Sequence, residues 1–327
     1  MNETTWTADI HDRALRPAAP GLSPAKEKKD KDAGATASAP VSNLTDAERE
    51  EFLKNAKIIR TKAASKGVTG TTRVTMTDGK ITHDAHVQCI DESKHEFVTD
   101  RGTELNFKDS YKFNIAAYRL ARLLELTNLP VTVERKVTGK TCAVDWWVDD
   151  VMMDEAGRKQ KKLDAPDINA WNHQMYVVRV FDQLIYNVDR NLTNLLILKD
   201  WNLVMIDHSR SFRLAHSLEN PKNLVMCDRT LLKNLRALDP DTVQKRLMPY
   251  CTKSEVESVM ARRDIIVKFF DDKVKEKGEA SWLESCRYST NSTRLSRNRS
   301  RCGRQNWSRP AIRLRPPAWP RAFSWPL

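Results

Sequence analysis

Apolar and polar residues alternate over much of the first half of the chain, which is the pattern of strands with one buried face. The run from Thr72 to Met76, the turn Asp78-Gly79 and a second run that ends at Ile90 together predict a β-hairpin. Two further strands are predicted over residues 131–137 and 141–148. This half of the chain is therefore expected to form a sheet.

Helical periodicity surrounds these strands and then replaces them. A capping box of Thr45 and Glu48 predicts a helix that begins there and ends near Ile58. Apolar positions spaced for one face of a helix follow over residues 110–126 and 169–187. Further helices are predicted near residues 228–238, 240–249 and 252–276. The second half is therefore expected to be mostly helical.

Three oxygen-bearing side chains follow the helix predicted over residues 169–187. Asp189 is followed five positions later by Asn194, and Asp207 closes a stretch in which a polar turn separates two apolar runs. That stretch predicts a hairpin, which would bring Asn194 and Asp207 together. An amide oxygen and a carboxylate suit Mg²⁺, because this ion takes hard oxygen ligands and shares them with nucleotide phosphates. Asp189 would then be the catalytic aspartate beside an acceptor hydroxyl, with Asn194 and Asp207 as metal ligands.

The same residues also have an ordinary structural interpretation. The sequence Asp-Arg-Asn at 189–191 is a common composition for a solvated turn, and an aspartate such as Asp207 can cap a loop. The combined spacing after a long helix is much rarer than either feature alone. We therefore favour metal-dependent phosphoryl transfer.

Two segments around these residues resemble the catalytic and metal-binding loops of atypical kinases: Leu184 to Asn191, and Met205 to His208. The group includes the phosphatidylinositol 3- and 4-kinases and the HipA-like protein kinases. Residues 114–124 resemble its N-lobe helix, and the resemblance extends over residues 58–275. It implies an α+β, two-lobed protein-kinase-like fold with a β-rich N-lobe and a mostly helical C-lobe. It also implies transfer of the γ-phosphate of ATP with Mg²⁺, with Arg190 as a further catalytic-loop residue that braces the loop or neutralises charge.

The resemblance is incomplete at the ion pair that usually contacts the nucleotide phosphates. The lysine position falls on Gln88 and the helix glutamate position on Asn114, so both charges are absent. An amide pair can keep the hydrogen bond but cannot supply the positive charge. Residues that could replace the missing charges are Lys80, Lys94, Lys108 and Lys112, with Glu104 as an alternative acidic partner. The alternative function is therefore a pseudokinase-like module that binds nucleotide or a partner without transfer.

Other N-lobe positions are candidate nucleotide contacts. Gly67 and Gly70 precede the predicted hairpin, where glycine lets backbone N–H groups approach phosphate, although an ordinary turn explains them equally well. The segment 143–150 resembles the hinge between the lobes. Its Trp146 and Trp147 would face opposite sides of a strand, so one could flank the base while the other is core. Gln88 completes the predicted nucleotide-binding set.

Composition separates a folded part from two termini. The net charge is +12, but the segment 286–327 holds ten arginines and no acidic residue, so the basicity belongs to that tail. We predict a disordered leader over 1–43, an N-lobe with a leading helix and hinge over 44–150, and a helical C-lobe with catalytic and metal loops over 151–285. The Arg/Ser/Pro/Trp-rich tail is predicted to be disordered. It resembles out-of-frame translation, with a basic arm for RNA or anionic lipid as the alternative.

Composition also suggests the compartment and the partners. Six cysteines without paired spacing indicate reduced thiols, and no segment has the pattern of a membrane span or a signal peptide, so a cytoplasmic location is predicted. The acceptor could be a protein Ser/Thr, a lipid or a small-molecule hydroxyl, and the HipA-like similarity favours protein. Nucleic acid is expected as a partner only through the basic tail.

Overall fold

A strand-rich N-lobe precedes a mostly helical C-lobe, so the predicted two-lobed α+β fold is confirmed. The computed structural model describes residues 44–63, 72–99 and 102–284. The predicted leader, the predicted tail and the glycines Gly67 and Gly70 lie outside the described residues.

The N-lobe combines an antiparallel sheet with two helices and an additional hairpin. In chain order its elements are α1 (Asp46–Asn55), β1 (Lys57–Ala63), β2 (Thr72–Thr77), β3 (Thr82–Gln88), β4 (Asp91–Thr99), β5 (Gly102–Ser110), α2 (Tyr111–Leu123), β6 (Thr132–Val137) and β7 (Lys140–Trp146). The sheet has the strand order β1-β2-β3-β7-β6, and β2–β3 is the hairpin predicted between residues 72 and 90. Helix α1 is shorter than predicted, because it ends at Asn55 and β1 begins at Lys57.

This sheet has one apolar and one polar face, because alternate residues of a strand point to opposite sides. The apolar face packs against Phe52 and Leu53 of α1 and forms the N-lobe core. Its buried residues include Val74, Met76, Ala85, Val87, Val144 and Trp146. The opposite face carries Arg73, Thr75, Asp84, His86, Gln88 and Asp145. Asp145 lines a cavity together with Asp207 and His208, so the polar face is the roof of a cleft between the lobes.

The hairpin β4–β5 follows β3 and is absent from the sequence-based prediction. Its strands pair antiparallel from Asp91 opposite Ser110 to Thr99 opposite Gly102. Most of its described side chains are exposed. Since neither face is extensively buried, the sequence shows no apolar alternation from which these strands could be predicted.

The C-lobe places a small sheet against a helical core. In chain order its elements are β8 (Val151–Asp154), α3 (Glu155–Gln160), α4 (Ile168–Ile185), β9 (Leu195–Leu198), β10 (Leu203–Met205), β11 (Cys227–Asp228), α5 (Arg229–Ala237), α6 (Pro240–Leu247), α7 (Lys253–Lys277) and β12 (Leu283–Glu284). The fully buried Arg262 of α7 donates from Nε to the carbonyl of Leu184 at 2.8 Å and so holds the end of α4. Among the described residues, no helix has the length and apolarity needed to cross a membrane.

Cys89 and Cys142 form a disulfide, which contradicts the prediction of reduced cysteines for these two residues, whereas Cys227 and Cys251 are free. Gln88 at the end of β3 lies opposite Ala143 of β7, so the next opposed positions bring the two cysteines together, with 4.1 Å between their Cα atoms. They lie 53 residues apart in the chain, so their spacing does not reveal the pairing. Strand register therefore decided what cysteine spacing could not.

We expect the double substitution Cys89→Ser, Cys142→Ser to lower the free energy of unfolding by about 2–4 kcal/mol, because the disulfide restricts the unfolded chain. Urea unfolding of the oxidised protein, the reduced protein and the double variant measures this difference. Reduction of the wild type should have the same effect as the double substitution. Alkylation of both cysteines in the unreduced, unfolded protein would show that the disulfide does not form.

Candidate active site

The end of α4 delivers the chain to the catalytic loop in a fixed direction. Tyr186 adopts a left-handed conformation (φ 52°) and ends the helix. The next residue, Asn187, donates from Nδ2 to Asp182 Oδ1 at 3.1 Å and accepts the backbone N–H of Asp189 at Oδ1, 3.0 Å away. Asp189 is therefore anchored through its own backbone to a buried carboxylate of α4.

Arg190 is buried, with 8% of its surface exposed, and it joins three separate segments. Its guanidinium donates to both carboxylate oxygens of Asp182, at 2.9 and 3.0 Å. It also donates to the carbonyls of Asn194 and Ile206, each at 2.8 Å, and to Nε2 of His208 at 2.9 Å. An arginine has five N–H donors, and all of them are used in these contacts. These contacts match the bracing role, which is one of the two roles predicted for Arg190, and a direct part in catalysis stays a prediction.

The strands β9 and β10 bring Asn194 and Asp207 together, as the hairpin prediction requires. Leu195 lies opposite Met205, and the N–H of Ile206 donates to the carbonyl of Asn194 at 3.1 Å. Asn194 donates from Nδ2 to the carbonyl of Asp189 at 3.2 Å, which leaves its amide oxygen for a cation. Asp207 has a left-handed backbone (φ 53°) and accepts the hydroxyl of Ser209 at 3.0 Å.

The donor set at this position fits Mg²⁺. It consists of one amide oxygen and one carboxylate, which are hard ligands, and a nucleotide would add phosphate oxygens. Within the described part of the chain, no three His, Cys, Asp or Glu side chains are arranged to hold a metal by themselves. A site with so few protein ligands matches a cation that is bound together with its nucleotide.

Burial is the main cause that raises the pKa of Asp189 above that of an ordinary aspartate. The charge of Arg210 opposes this increase, whereas the charge of Asp207 adds to it. A third carboxylate, Asp109 at the end of β5, is buried and also has a raised pKa, because of burial and the charges of Asp207 and Asp189. Sequence reasoning missed Asp109, since it lies in the unpredicted hairpin and no motif surrounds it.

Gln88 and Asn114 meet where the resemblance placed the lysine and glutamate of a kinase. Asn114 donates from Nδ2 to Gln88 Oε1. Its Oδ1 accepts the backbone N–H of His208 at 2.6 Å, which ties α2 to the metal-binding loop. The Nε2 atom of Gln88 is buried and has no protein partner among the described residues. The two amides therefore keep the hydrogen-bonded contact that the ion pair would make, but they do not supply its charges.

Glu104 is not the substitute acidic partner that a shifted alignment suggested. It lies on the β4–β5 hairpin, where it accepts Arg210 Nη2 and, at 2.6 Å, Arg213 Nη2. These arginines follow the metal-binding loop, so their contacts with Glu104 link the unpredicted hairpin to the C-lobe. Glu104 thus orders the segment after Asp207.

The two adjacent tryptophans lie on opposite faces of the N-lobe sheet. Trp146 is 7% exposed and packs in the core, stacked on His83 at 4.0 Å between ring centroids. Its assignment to the nucleotide site is therefore corrected. Trp147 is half-buried on the cleft side and lies under the guanidinium of Arg73, 4.0 Å from the ring centroid. Of the two, Trp147 is therefore the one on the cleft side, and its contact with a base stays a prediction.

A small cavity lies between the lobes beside these groups. It is lined by Asn114, Tyr118, Leu129, Pro130, Thr132, Asp145, Asp207 and His208. Its walls are therefore drawn from α2, from the sheet and from the metal-binding loop. The cavity gives the cleft a mainly polar inner wall.

Solved structures at low sequence identity have this fold. The structure of hydra Fam20 with sugar matches with a TM-score of 0.59 and 15% identity, over 75% of this chain and 94% of that chain. A Golgi casein kinase structure with Mn and ADP bound matches with a TM-score of 0.54 and 13% identity, and another structure of the Golgi casein kinase with a TM-score of 0.52. Each of these two covers 73% of this chain and 78% of that chain.

These similarities establish the kinase-like fold and leave the finer grouping open. No family model and no curated protein matches the chain. The expected atypical kinase fold is confirmed, whereas the resemblance to phosphatidylinositol kinases and HipA-like kinases is not.

Burial, followed by the charge of Arg190, lowers the pKa of His208 well below its usual value, so this histidine is neutral in the fold. The unfolded chain then binds more protons below about pH 6.5, and stability should fall by up to roughly 1.4 kcal/mol per pH unit as the pH drops from there towards the folded pKa. We expect His208→Gln to remove this part of the slope, because glutamine can still accept Arg190 but does not titrate. Urea unfolding at several pH values measures the slope. The exposed His95→Gln is the control and should leave it unchanged, and an unaltered slope in His208→Gln would contradict the assignment.

Proposed function

We propose that the chain is a Mg²⁺-dependent phosphotransferase that transfers the γ-phosphate of ATP to a hydroxyl group. The observation that carries this proposal is the convergence of Asp189, Asn194 and Asp207, which the contacts of Arg190 hold in place. The Golgi casein kinase structure that contains Mn and ADP supports a nucleotide and a divalent metal in the same fold.

The three residues have distinct tasks in this reaction. Asp189 orients the acceptor hydroxyl or accepts its proton, and its raised pKa makes it a stronger base than an exposed aspartate. The acceptor oxygen forms a bond to the γ-phosphorus while the bond to the β–γ bridging oxygen breaks, and ADP leaves. Asn194 and Asp207 hold Mg²⁺, which when bound neutralises charge on the phosphates. Arg190 contributes by fixing the loop geometry.

A protein Ser/Thr hydroxyl is the acceptor that we favour. The fold is shared with a protein named Golgi casein kinase, and the HipA-like similarity of the catalytic loop favours the same acceptor class. A lipid or small-molecule hydroxyl is the alternative, because kinase folds host all three chemistries.

The disulfide changes the proposed compartment. The cytoplasmic prediction depended in part on reduced cysteines, and Cys89–Cys142 removes that part of the argument. Structural disulfides persist in oxidising compartments such as the secretory pathway. We therefore place the protein in an oxidising compartment instead of the cytoplasm.

A pseudokinase-like module that binds nucleotide without transfer is the second candidate function. The observation that favours it is the neutral pair of Gln88 and Asn114, which lacks the charge that an ordinary kinase directs at the phosphates. The two candidates differ in whether Asp189 is used for chemistry.

We expect Asp189→Asn to reduce phosphate transfer by roughly 10²–10⁴-fold while binding of ADP with Mg²⁺ is kept, because the base is lost but the metal ligands remain. Asp207→Asn should weaken metal-dependent binding of ADP, since it removes a carboxylate ligand. Transfer from radiolabelled ATP into the chain itself and into cell extract, with calorimetry of ADP binding, measures both effects. The control is Asp200→Asn in the exposed turn between β9 and β10, which should behave like the wild type. Nucleotide binding by a wild type that transfers to no acceptor would favour the pseudokinase-like module.

We expect Arg190→Lys to lower the transfer rate by roughly 10–100-fold, a typical loss when a residue that orients metal ligands is changed. A lysine cannot reach Asp182, Asn194, Ile206 and His208 together, so the catalytic and metal loops would lose their common support. Transfer rate and Mg²⁺ dependence are measured beside thermal unfolding. A variant that melts earlier but transfers at the wild-type rate while folded would refute the bracing role.

A further inference from the structure

The roof of the cleft needs a positive group that the amide pair does not supply. Three of the lysines considered from the sequence are engaged elsewhere: Lys94 with Glu92 at 3.1 Å, Lys108 with Glu255 at 2.6 Å, and Lys112 with Asp91 at 2.7 Å. Lys80 is exposed in the turn between β2 and β3, beyond the far end of β3, a strand about 20 Å long that ends at Gln88. None of the four therefore takes the place of the missing lysine.

His86 lies two residues before Gln88, on the same face of β3. It is directly opposite Asp145 of β7, and its Nδ1 lies 2.8 Å from Asp145 Oδ2. The His86 side chain is 31% exposed and lies on the same face of the sheet as Asp145, which lines the cavity. With Nδ1 held by Asp145, the opposite ring edge at Nε2 is the remaining donor of the protonated imidazole.

The charges around His86 favour its protonated form. Burial, the largest single influence, lowers the pKa, but the hydrogen bond and charge of Asp145, together with the charge of Asp207, outweigh it and leave the pKa raised. Arg73 of β2 lies opposite His86 in the sheet, yet its Nε donates to Asp84 Oδ2 at 2.6 Å. Three charged groups therefore face His86: Arg73 of β2, which is already paired with Asp84, Asp145 of β7, and Asp207 of the metal-binding loop.

The position of His86 along the strand indicates which part of a nucleotide it meets. Gln88 connects through Asn114 to the backbone of His208, next to the metal ligand Asp207. At the other end of β3, the carbonyl of Asp84 accepts the N–H of Trp147 at 3.2 Å. His86 lies between these ends, about 7 Å from the residue that marks the phosphate end.

We propose that His86, oriented by Asp145, is the cationic contact of the N-lobe to the nucleotide phosphates and replaces the absent lysine. The inference rests on the proposed function, because it presupposes that a nucleoside diphosphate or triphosphate binds in this cleft. The imidazolium donates from Nε2 to a phosphate oxygen, and Asp145 holds the ring through Nδ1. His86 would then be a binding residue that no sequence motif identifies.

Calorimetry with two ligands tests this assignment: ADP with Mg²⁺, and adenosine, which has the same base and ribose but no phosphate. At about pH 6, His86→Ala should weaken ADP binding roughly tenfold, the loss expected for one charge-assisted hydrogen bond, and should leave adenosine binding unchanged. His86→Lys should retain ADP affinity and make it less dependent on pH between about pH 6 and pH 8 than in the wild type, because lysine stays charged. The exposed His95→Ala is the matched control and should bind both ligands like the wild type.

Two results for folded variants would overturn the assignment. Unchanged ADP affinity in His86→Ala would exclude the contact, and equal losses for ADP and adenosine would assign His86 to the base instead of the phosphates. His86→Lys keeps the test decisive if the alanine variant does not fold, since a tenfold loss of ADP affinity there would also refute a cationic role. Failure of the wild type to bind ADP with Mg²⁺ would overturn the proposed function itself, an outcome distinct from a wild type that binds and a His86 variant that binds equally.

Discussion

The arrangement of the candidate site depends on one buried guanidinium. Arg190 joins the carboxylate of Asp182, the carbonyls of Asn194 and Ile206, and the imidazole of His208, so the helix, the catalytic loop and the metal-binding loop share a single support. A buried charge is stable only when it is paired and its donors are satisfied, and Asp182 with the carbonyls meets both conditions. The same burial keeps His208 neutral, so that it can accept the hydrogen bond. The spacing of the oxygen ligands is therefore a consequence of satisfying one arginine.

A second constraint acts in the N-lobe, where one face of the sheet forms the core and the other face lies above the cleft. The register that pairs His86 with Asp145 and Gln88 with Ala143 puts polar groups above the cleft, and it brings Cys89 and Cys142 together behind them. The disulfide thus connects the same two strands that carry His86, Gln88 and Asp145 on the cleft side. A shift of one residue would exchange the two faces, so core packing against α1 and the chemistry of the roof depend on one register.

The candidate base and metal ligands were accessible to sequence reasoning because they are close together in the chain. Asp189, Asn194 and Asp207 fall within 19 consecutive residues, and a helix followed by a hairpin is enough to bring them together. The amide pair was also found, since Gln88 and Asn114 each occupy a motif position. Trp146 was included among the candidate nucleotide contacts, but it packs in the core. Adjacent residues of a strand face opposite sides, and the sequence does not show which side faces the cleft.

The amino-acid sequence by itself determined the β2–β3 hairpin, strands β6 and β7 and the main helices, and it supplied Asp189, Asn194 and Asp207 as candidate base and metal ligands, because each of these is encoded in periodicity or spacing over a short range. Tertiary structure alone decided the contacts between distant segments. The β4–β5 hairpin is mostly exposed and has no apolar period, yet its Glu104 orders Arg210 and Arg213 more than 100 residues later. The partnerships of Cys89 with Cys142 and of His86 with Asp145 are set by strand register, which depends on packing of the whole sheet and is not expressed in any local pattern.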